Sequence, residues 1–421
     1  MSADRTVSTA TGTFDRSAAG RGPTDEQHGE PVRQRLEPAV EVLRHSAGND
    51  PDRHAFPGAV AGVAHRGRVV LCEAIGSCSA ERGAPSMTTD AVFDAASLTK
   101  VVVTTTAVLR LVERGSVALD DAIAWHIPEL TGTPAGRASV AQLLTHTAGV
   151  PWLPFYAEGV DWGGWLAAIA QTLPVVDPGT RVHYSCTGFI LLGRLVEVAT
   201  GEALAEFAAR EIFTPLEMVD TQFLPLADPL PEGLVERLVA TERRKDCSRG
   251  RALAAAMERR NELSAAWQAR HPAGSARGVV HDENAAWLGG SAGNAGLFTT
   301  ATDLLAFGQM YLDHGRHGPS PFLSDAAIET ATRDWTPNLG EHRGLGWKIS
   351  GPEGALCDLA SPAAYGHTGF TGAALLIDPE RDAVAVLLTN RLQFGRTNER
   401  ILRVRRLFLN AVLAAVTSDD R

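Results

Sequence analysis

The stretch 93–100, Phe93-Asp94-Ala95-Ala96-Ser97-Leu98-Thr99-Lys100, joins an extended segment to a helix. Downstream, Leu98, Val101, Val102, Thr105, Val108, Leu109 and Val112 keep helical spacing, and Gly115 supplies the stop. Ser97 and Lys100 are three apart, so on that helix their side chains share a face. Ser97 also falls where the unpaired N–H groups of a helix start favour a developing anion. A lysine desolvated in a cleft is expected to lose basicity and to accept the serine proton. The S-x-x-K spacing is common by chance, and a solvated lysine behind an ordinary first-turn serine satisfies it equally. Thr104-Thr105-Thr106 is a poor helix former, so tertiary burial must hold this helix.

Working outward, residues 57–76 read as two strands around a turn at His65-Arg66-Gly67. Residues 372–377 and 383–389 read as two more, and 398–416 as a closing helix. Between them, from about 116 to 290, helical patterns and Pro/Gly-rich loops dominate. They include 186–210, broken near Gly201, and the charged stretch 250–270. Strands at both ends with helices between predict an α/β (α+β) fold. Residues 31–115 and 291–421 form one α/β lobe, and 116–290 form an inserted helical lobe. Residues 1–30, rich in Ser, Thr, Ala, Gly and Asp, read as a disordered tail.

The chain has 421 residues with a formal charge of −10, which excludes a basic nucleic-acid-binding face as the default. No segment reaches the roughly 20 apolar residues of a membrane span. The head has no apolar run, so no secretory signal is read, and a cytoplasmic location is expected. Five cysteines, Cys72, Cys78, Cys186, Cys247 and Cys357, form no CxxC pair. No disulfide framework, metal site or cofactor is read from them or from the His/Asp/Glu pattern.

Two further segments carry chemistry. Tyr184-Ser185-Cys186 lies between the turn Asp177-Pro178-Gly179-Thr180 and a helix start, so a phenol is presented from a loop. Such a phenol near a lysine moves protons to a leaving group, although a half-buried structural tyrosine reads the same way. His367-Thr368-Gly369 opens a glycine-containing strand that a substrate can approach closely. There the Phe370 N–H is an oxyanion donor to pair with that of Ser97. Cys186 reads as a small buried hydrophobe rather than a nucleophile, and His146 as a group that satisfies loop backbone. The Asp120-Asp121 pair reads as a turn. Trp152, Phe155, Tyr156, Trp162 and Trp165 form an aromatic loop after residue 151.

The segments FDAASLTK (93–100), QLLTHTAGVP (142–151), HYSCTGFILLGRLVE (183–197), 279–307 (VVHDENAAWLGGSAGNAGLFTTATDLLAF) and GHTGFTGAALLIDPERD (366–382) occur in that order. Over roughly residues 35–415 the chain resembles the β-lactamase-like serine hydrolases: class C β-lactamases, D-alanyl-D-alanine peptidases, and related esterases and transacylases. The resemblance implies an antiparallel sheet flanked by helices. It also implies Ser97 as the acylated nucleophile, Lys100 as its activating partner and Tyr184 as proton relay. The resemblance places the aromatic loop with Trp152, Phe155, Tyr156, Trp162 and Trp165 at the border of the cleft, as lining of the acyl pocket slightly ahead of plain core. His367 stands where many members have the lysine of a K-T-G triplet. Cys186 stands where they carry Asn or Asp, and Asn294 where relatives often carry His. A thiol cannot supply a carboxamide, and a histidine is mostly neutral at pH 7. Both changes argue against a β-lactam or peptide carboxylate as substrate. About 25 residues near 252–276 look inserted, with Arg259, Arg260 and Arg270 either over the cleft or on a solvated surface helix.

The expected function is acyl transfer. A small-molecule acyl donor loads Ser97, and the acyl group passes to water (carboxylesterase) or to an amine or alcohol acceptor (ATP-independent transacylase). β-Lactamase or D,D-peptidase activity, and a non-catalytic binding protein on the same fold, are the alternatives.

Overall fold

The computed structural model describes residues 6–9, 12–15, 30–243, 248–258, 267–271, 275–317, 320–350 and 356–416. Its centre is an antiparallel sheet of β1 (Gly58–His65), β2 (Arg68–Gly76), β3 (Lys348–Ile349), β4 (Tyr365–Thr368), β5 (Ala374–Asp378) and β6 (Ala383–Thr389). The strand order is β3-β4-β5-β6-β1-β2. The β1–β2 hairpin turns on Arg66 (φ 52°) and Gly67 (φ 72°). Positive φ at both central positions matches the right-handed twist of the flanking strands. Sequence neighbours pair throughout except at β6–β1, where Ala383 faces His65 and Thr389 faces Ala59.

Both faces of this sheet are covered, so its strands are apolar on both sides. On one face Ala59, Ala61, Val63, Leu376, Ala385 and Leu387 pack against α1 (Glu37–Ser46) and α5 (Arg400–Ala415). Ile401, Phe408, Leu409 and Val412 give α5 its buried stripe. Truncating one of these large side chains, such as Phe408, costs about 3–5 kcal/mol. On the other face Val60, Leu375, Val384 and Val386 meet α4 (Ala301–Leu312). A Cβ at Gly308 would lie 2.5 Å from Val384 Cγ1, so a bare backbone lets α4 press onto the sheet.

This second layer continues without a break into the helices between the two halves of the sheet. Its core takes in α2 (Lys100–Glu113) and α3 (Cys186–Thr200). The first turn and a half of α2, Lys100–Thr105, is a wide π-helical turn and fully buried. The threonines explain it: Thr106 Oγ1 donates to Val101 O at 3.0 Å and Thr104 Oγ1 to Gly293 O at 2.6 Å. Side-chain competition for backbone acceptors loosens the ladder. α3 is capped by Ser185 and ends at Gly201 (φ 72°), the break expected from the sequence. A small sheet of Phe93–Asp94, Leu297–Thr299 and Gln222–Phe223 lies beside Ser97.

Two expectations need revision. Within the head read as a disordered tail, Thr6–Thr9 and Gly12–Asp15 form an antiparallel hairpin. In the region near 252–276 it is the expectation for Arg270 that changes: the helix before it packs one face into the fold and leaves the other exposed. Helix Ser248–Glu258 buries Leu253, Ala256 and Met257, and Trp267 is buried as well. Arg270 does not lie over the cleft. It donates to the carbonyls of Leu224 (3.0 Å), Pro225 (3.0 Å), Gly278 (2.9 Å) and Asp228, clamping a loop from inside. Arg259 and Arg260 lie outside the described residues. No described helix is long and apolar enough to cross a membrane.

Candidate active site

The loop before α2 is built to hold Ser97. Asp94 Oδ1 accepts from Ala96 N at 2.8 Å and Asp94 Oδ2 from His281 N at 2.5 Å. This fixes Ala96 at φ 48°, a left-handed conformation that costs a residue with a Cβ about 1–2 kcal/mol. Leu98, Thr99 and Lys100 then donate to the carbonyls of Ala95, Ala96 and Ser97, a tight first turn ahead of the wide one. Ser97 is left half-buried at the point where the chain reverses.

Lys100 is 0 % exposed. Its Nζ donates to Ser97 Oγ at 3.0 Å and to the Asn294 carbonyl at 3.0 Å, and lies 3.5 Å from Cys186 Sγ. It also sits 5.1 Å from the centre of the Tyr184 ring. Burial opposes its charge, but Cys186, Tyr184 and Asp282 favour it, and the balance holds the ammonium above the ordinary lysine value. The expected loss of basicity is therefore not found. Burial raises the Cys186 thiol against the pull of Lys100, so at neutral pH the pair is an ammonium beside a thiol. Cys186 thus lines the floor without the thiolate that a nucleophile needs.

His146 organises the tyrosine segment. Its backbone sits at φ 59°, its carbonyl accepts from His183 N at 2.7 Å, and its Nδ1 accepts from Ser185 N at 3.1 Å. The ring lies 4.3 Å from that of Tyr184 and 5.0 Å from that of Phe189. Burial, with Arg343 and Lys100 nearby, pushes its pKa well below the usual histidine value, so the acceptor Nδ1 is permanent. The backbone-satisfying role expected for His146 is the one it plays, and it delivers Tyr184 to the mouth of the site at 40 % exposure.

The opposite wall is β4 and the turn after it. His367 is buried, and burial, Lys100 and Arg343 hold it neutral, far below its ordinary pKa. It faces the Tyr184 ring at 6.2 Å. A Cβ at Gly369 would lie 2.6 Å from Ala95 O and 3.3 Å from Ala96 Cβ, so only glycine lets this turn meet the Ser97 loop. Thr371 Oγ1 fastens the contact by donating to Asp94 O at 2.9 Å. The Phe370 carbonyl accepts from Arg391 Nε at 2.8 Å, which leaves the Phe370 N–H as the free end of the turn. The N–H groups of Ser97 and Phe370 have no acceptor among the described residues, as an oxyanion site requires.

Ser97, Lys100, Cys186, Tyr184, His367, Thr368, Gly369 and Phe370 are thus gathered in one place. The aromatic segment is not part of it. Phe155, Tyr156 and Trp165 are core, and Trp152 stacks under Arg249 at 4.5 Å. Sequence reasoning missed an open cleft of about 630 Å³ on the Tyr184–His367–Thr368 side. Arg343 and Arg405 line it. Arg405 falls in the stretch read as the closing helix, and Arg343 in a stretch where no element was read.

The Beta-lactamase family model matches residues 32–409. The chain is 30% identical over 322 residues to the Escherichia coli (strain K12) protein named "Putative D-alanyl-D-alanine carboxypeptidase", covering 72% of this chain and 70% of that one. Among solved structures, a class C beta-lactamase superposes with TM-score 0.67 at 17% identity, over 92% of this chain and 98% of that one. EstCE1, described as a hydrolase with promiscuous acyltransferase activity, gives 0.62 at 18%, over 92% and 99%. Motif order, site geometry and fold agree with the family match, and the chain belongs to the beta-lactamase family of serine hydrolases.

Proposed function

We propose that this protein is a serine acyl-transfer enzyme. It takes an acyl group from a small-molecule ester onto Ser97 and passes it to water, as a carboxylesterase, or to an amine or alcohol, as a transacylase. The observation that carries this reading is the 3.0 Å bond from the buried Lys100 Nζ to the half-buried Ser97 Oγ. Ser97 Oγ attacks the ester carbonyl, and its proton passes to Lys100 in the neutral form of that amine. The carbonyl oxygen takes its negative charge between the N–H groups of Ser97 and Phe370. As the carbonyl–oxygen bond breaks, the Tyr184 phenol relays a proton from Lys100 to the departing alkoxide. Attack by water or an acceptor runs the same steps in reverse.

The thiol of Cys186 and the neutral ring of His367 support an ester over an acylamide bearing a carboxylate. Cys72, Cys78, Cys186 and Cys357 are all unpaired, which supports a reducing compartment such as the cytoplasm. The test is intact-mass detection of an acyl adduct across methyl esters, aryl esters and thioesters, with mapping of the adduct to Ser97. Free acid and amide are then counted with an amine present. Absence of an adduct with every ester, and with a reactive phosphonate, would sink the proposal. A second reading follows from the Escherichia coli relative: release of D-alanine from an acyl-D-Ala-D-Ala peptide faster than ester turnover would bring it forward.

A further inference from the structure

The chain as a whole carries −10 charges, yet the 630 Å³ cleft beside Tyr184 is lined by five cationic side chains, Arg343, Lys348, Arg403, Arg405 and Arg406, against one carboxylate, Glu341. His367, also in the lining, is neutral. Part of this charge is satisfied within the fold. Arg343 donates to Glu341 at 2.6 Å and 3.1 Å, and Arg406 faces Asp358 at 3.4 Å. Arg405 is different. It is 9 % exposed, and among the described residues no carboxylate lies within ion-pair distance and its Nε has no hydrogen-bond partner. Burial, with Arg391 adding like charge, pulls its pKa down to about 10, so its charge is carried under strain. A buried cation without a partner is a penalty that an arriving anion removes.

Position narrows the ligand. The cleft is lined by Tyr184, His367 and Thr368 but not by Ser97 or Phe370. It therefore opens on the side where the phenol meets the departing oxygen, away from the N–H groups that hold the carbonyl oxygen. One arginine suffices for a carboxylate, whereas a lining with five cations to one carboxylate suits a doubly charged phosphate group, which also takes the arginine fork in two bonds. We infer that this cleft binds a phosphate group carried on the leaving group of the acyl donor, with Arg405 and Arg343 as its principal contacts. By reversal of the same step, an acceptor bearing such a group uses the same cleft. The substrate part of this inference rests on the acyl-transfer reading; the binding part does not.

Two measurements test it. In the first, kcat/KM is compared for three acetate esters of para-substituted phenols, carrying phosphate, carboxylate or methoxy, in the wild type, Arg405→Met and Arg403→Gln. A fourth ester carries its phosphonate on the acyl part. The phosphate-to-methoxy ratio should fall at least tenfold in Arg405→Met and two- to fivefold in Arg403→Gln, an exposed position that does not threaten folding. The acyl phosphonate should show no such dependence. In the second, inorganic pyrophosphate should raise the melting temperature of the wild type at constant ionic strength, but not that of Arg405→Met, whose own melting temperature should equal or exceed the wild type's. A carboxylate preference as large as that for phosphate, an effect carried by the acyl phosphonate instead, or an equal stabilisation by sodium chloride would overturn the inference. If no ester is turned over while pyrophosphate still stabilises the wild type alone, the acyl-transfer reading fails and the anion site stands.

Discussion

Tyr184 stands between two regions that treat positive charge in opposite ways. Behind it, Lys100 is fully buried, but Ser97, Cys186, the Asn294 carbonyl and the Tyr184 ring surround it. In front of it, Arg405 is almost as buried and meets no carboxylate among the described residues. A buried charge whose partners belong to the fold is held for work on a reacting atom. A buried charge without them is a standing cost, retained for something that arrives from outside. The first region is machinery and the second is selection, and each can be disturbed without the other.

The sharpest separation comes from removing the machinery alone. Ser97→Ala should abolish acyl-adduct formation, with a loss on the order of 10³-fold or more in kcat. Lys100→Ala should come close to it, and the double variant should be no worse than either. Multiplicative losses in single-turnover kinetics would mean that Lys100 only shapes the pocket. Next in size, Gly369→Ala sets a Cβ against Ala95 O and must push the Phe370 N–H away from the Ser97 loop. A displacement near 1 Å is expected to cost about 10²-fold in kcat at little change in unfolding midpoint. Full activity would show that Phe370 is not an oxyanion donor.

The raised Lys100 pKa sets the next effect. The amine accepts a proton only when neutral, and that fraction grows about tenfold per pH unit below its pKa. Acylation of Ser97 should therefore climb steadily from pH 7 to 9, and a plateau near pH 7 would show the amine already neutral. Smallest is an effect on stability. His146 and His367 are held neutral far below their ordinary pKa, so below about pH 6.5 the unfolded chain takes up protons that the folded chain refuses. Stability should fall on acidification from that point by about 1.4 kcal/mol per pH unit for each histidine. Urea unfolding at pH 7, 6 and 5 should show a shallower decline in His367→Gln. An unchanged slope would place protonation elsewhere.

The machinery was far more legible in the sequence than the selection. Ser97, Lys100, Tyr184 and His367 lie in short ordered segments whose spacing has a chemical meaning, and the structure brings all four together. The four strands read from alternation and turn residues are there, with Arg66-Gly67 at the hairpin. Lys100 kept more basicity than burial alone predicts, because the neighbours that favour its charge, Cys186, Tyr184 and Asp282, lie far along the chain. The same distance hid the cleft. Arg343 precedes a two-residue edge strand, and Arg405 sits beside Val404 on the buried stripe of α5. Periodicity marks which face of a helix is covered, not that a charge lies on it. Arg270 was missed for the mirror reason: a stretch rich in arginine was read as either covering the cleft or lying solvated on the surface, while Arg270 spends its donors on four backbone carbonyls.

The pairing of β1 with β6 also bears on how the molecule is made. Gly58 N donates to Asn390 Oδ1, 332 positions away, at 2.8 Å. A ribosome adding roughly 5–20 residues per second leaves the β1–β2 hairpin waiting tens of seconds for its central partner. Throughout that time the hairpin's apolar faces and both open edges are exposed to every other nascent chain nearby. Yield in the cell is thus set by what shields an early hairpin during synthesis. Slowing translation after residue 76 should lower soluble yield far more than the same delay placed after residue 390.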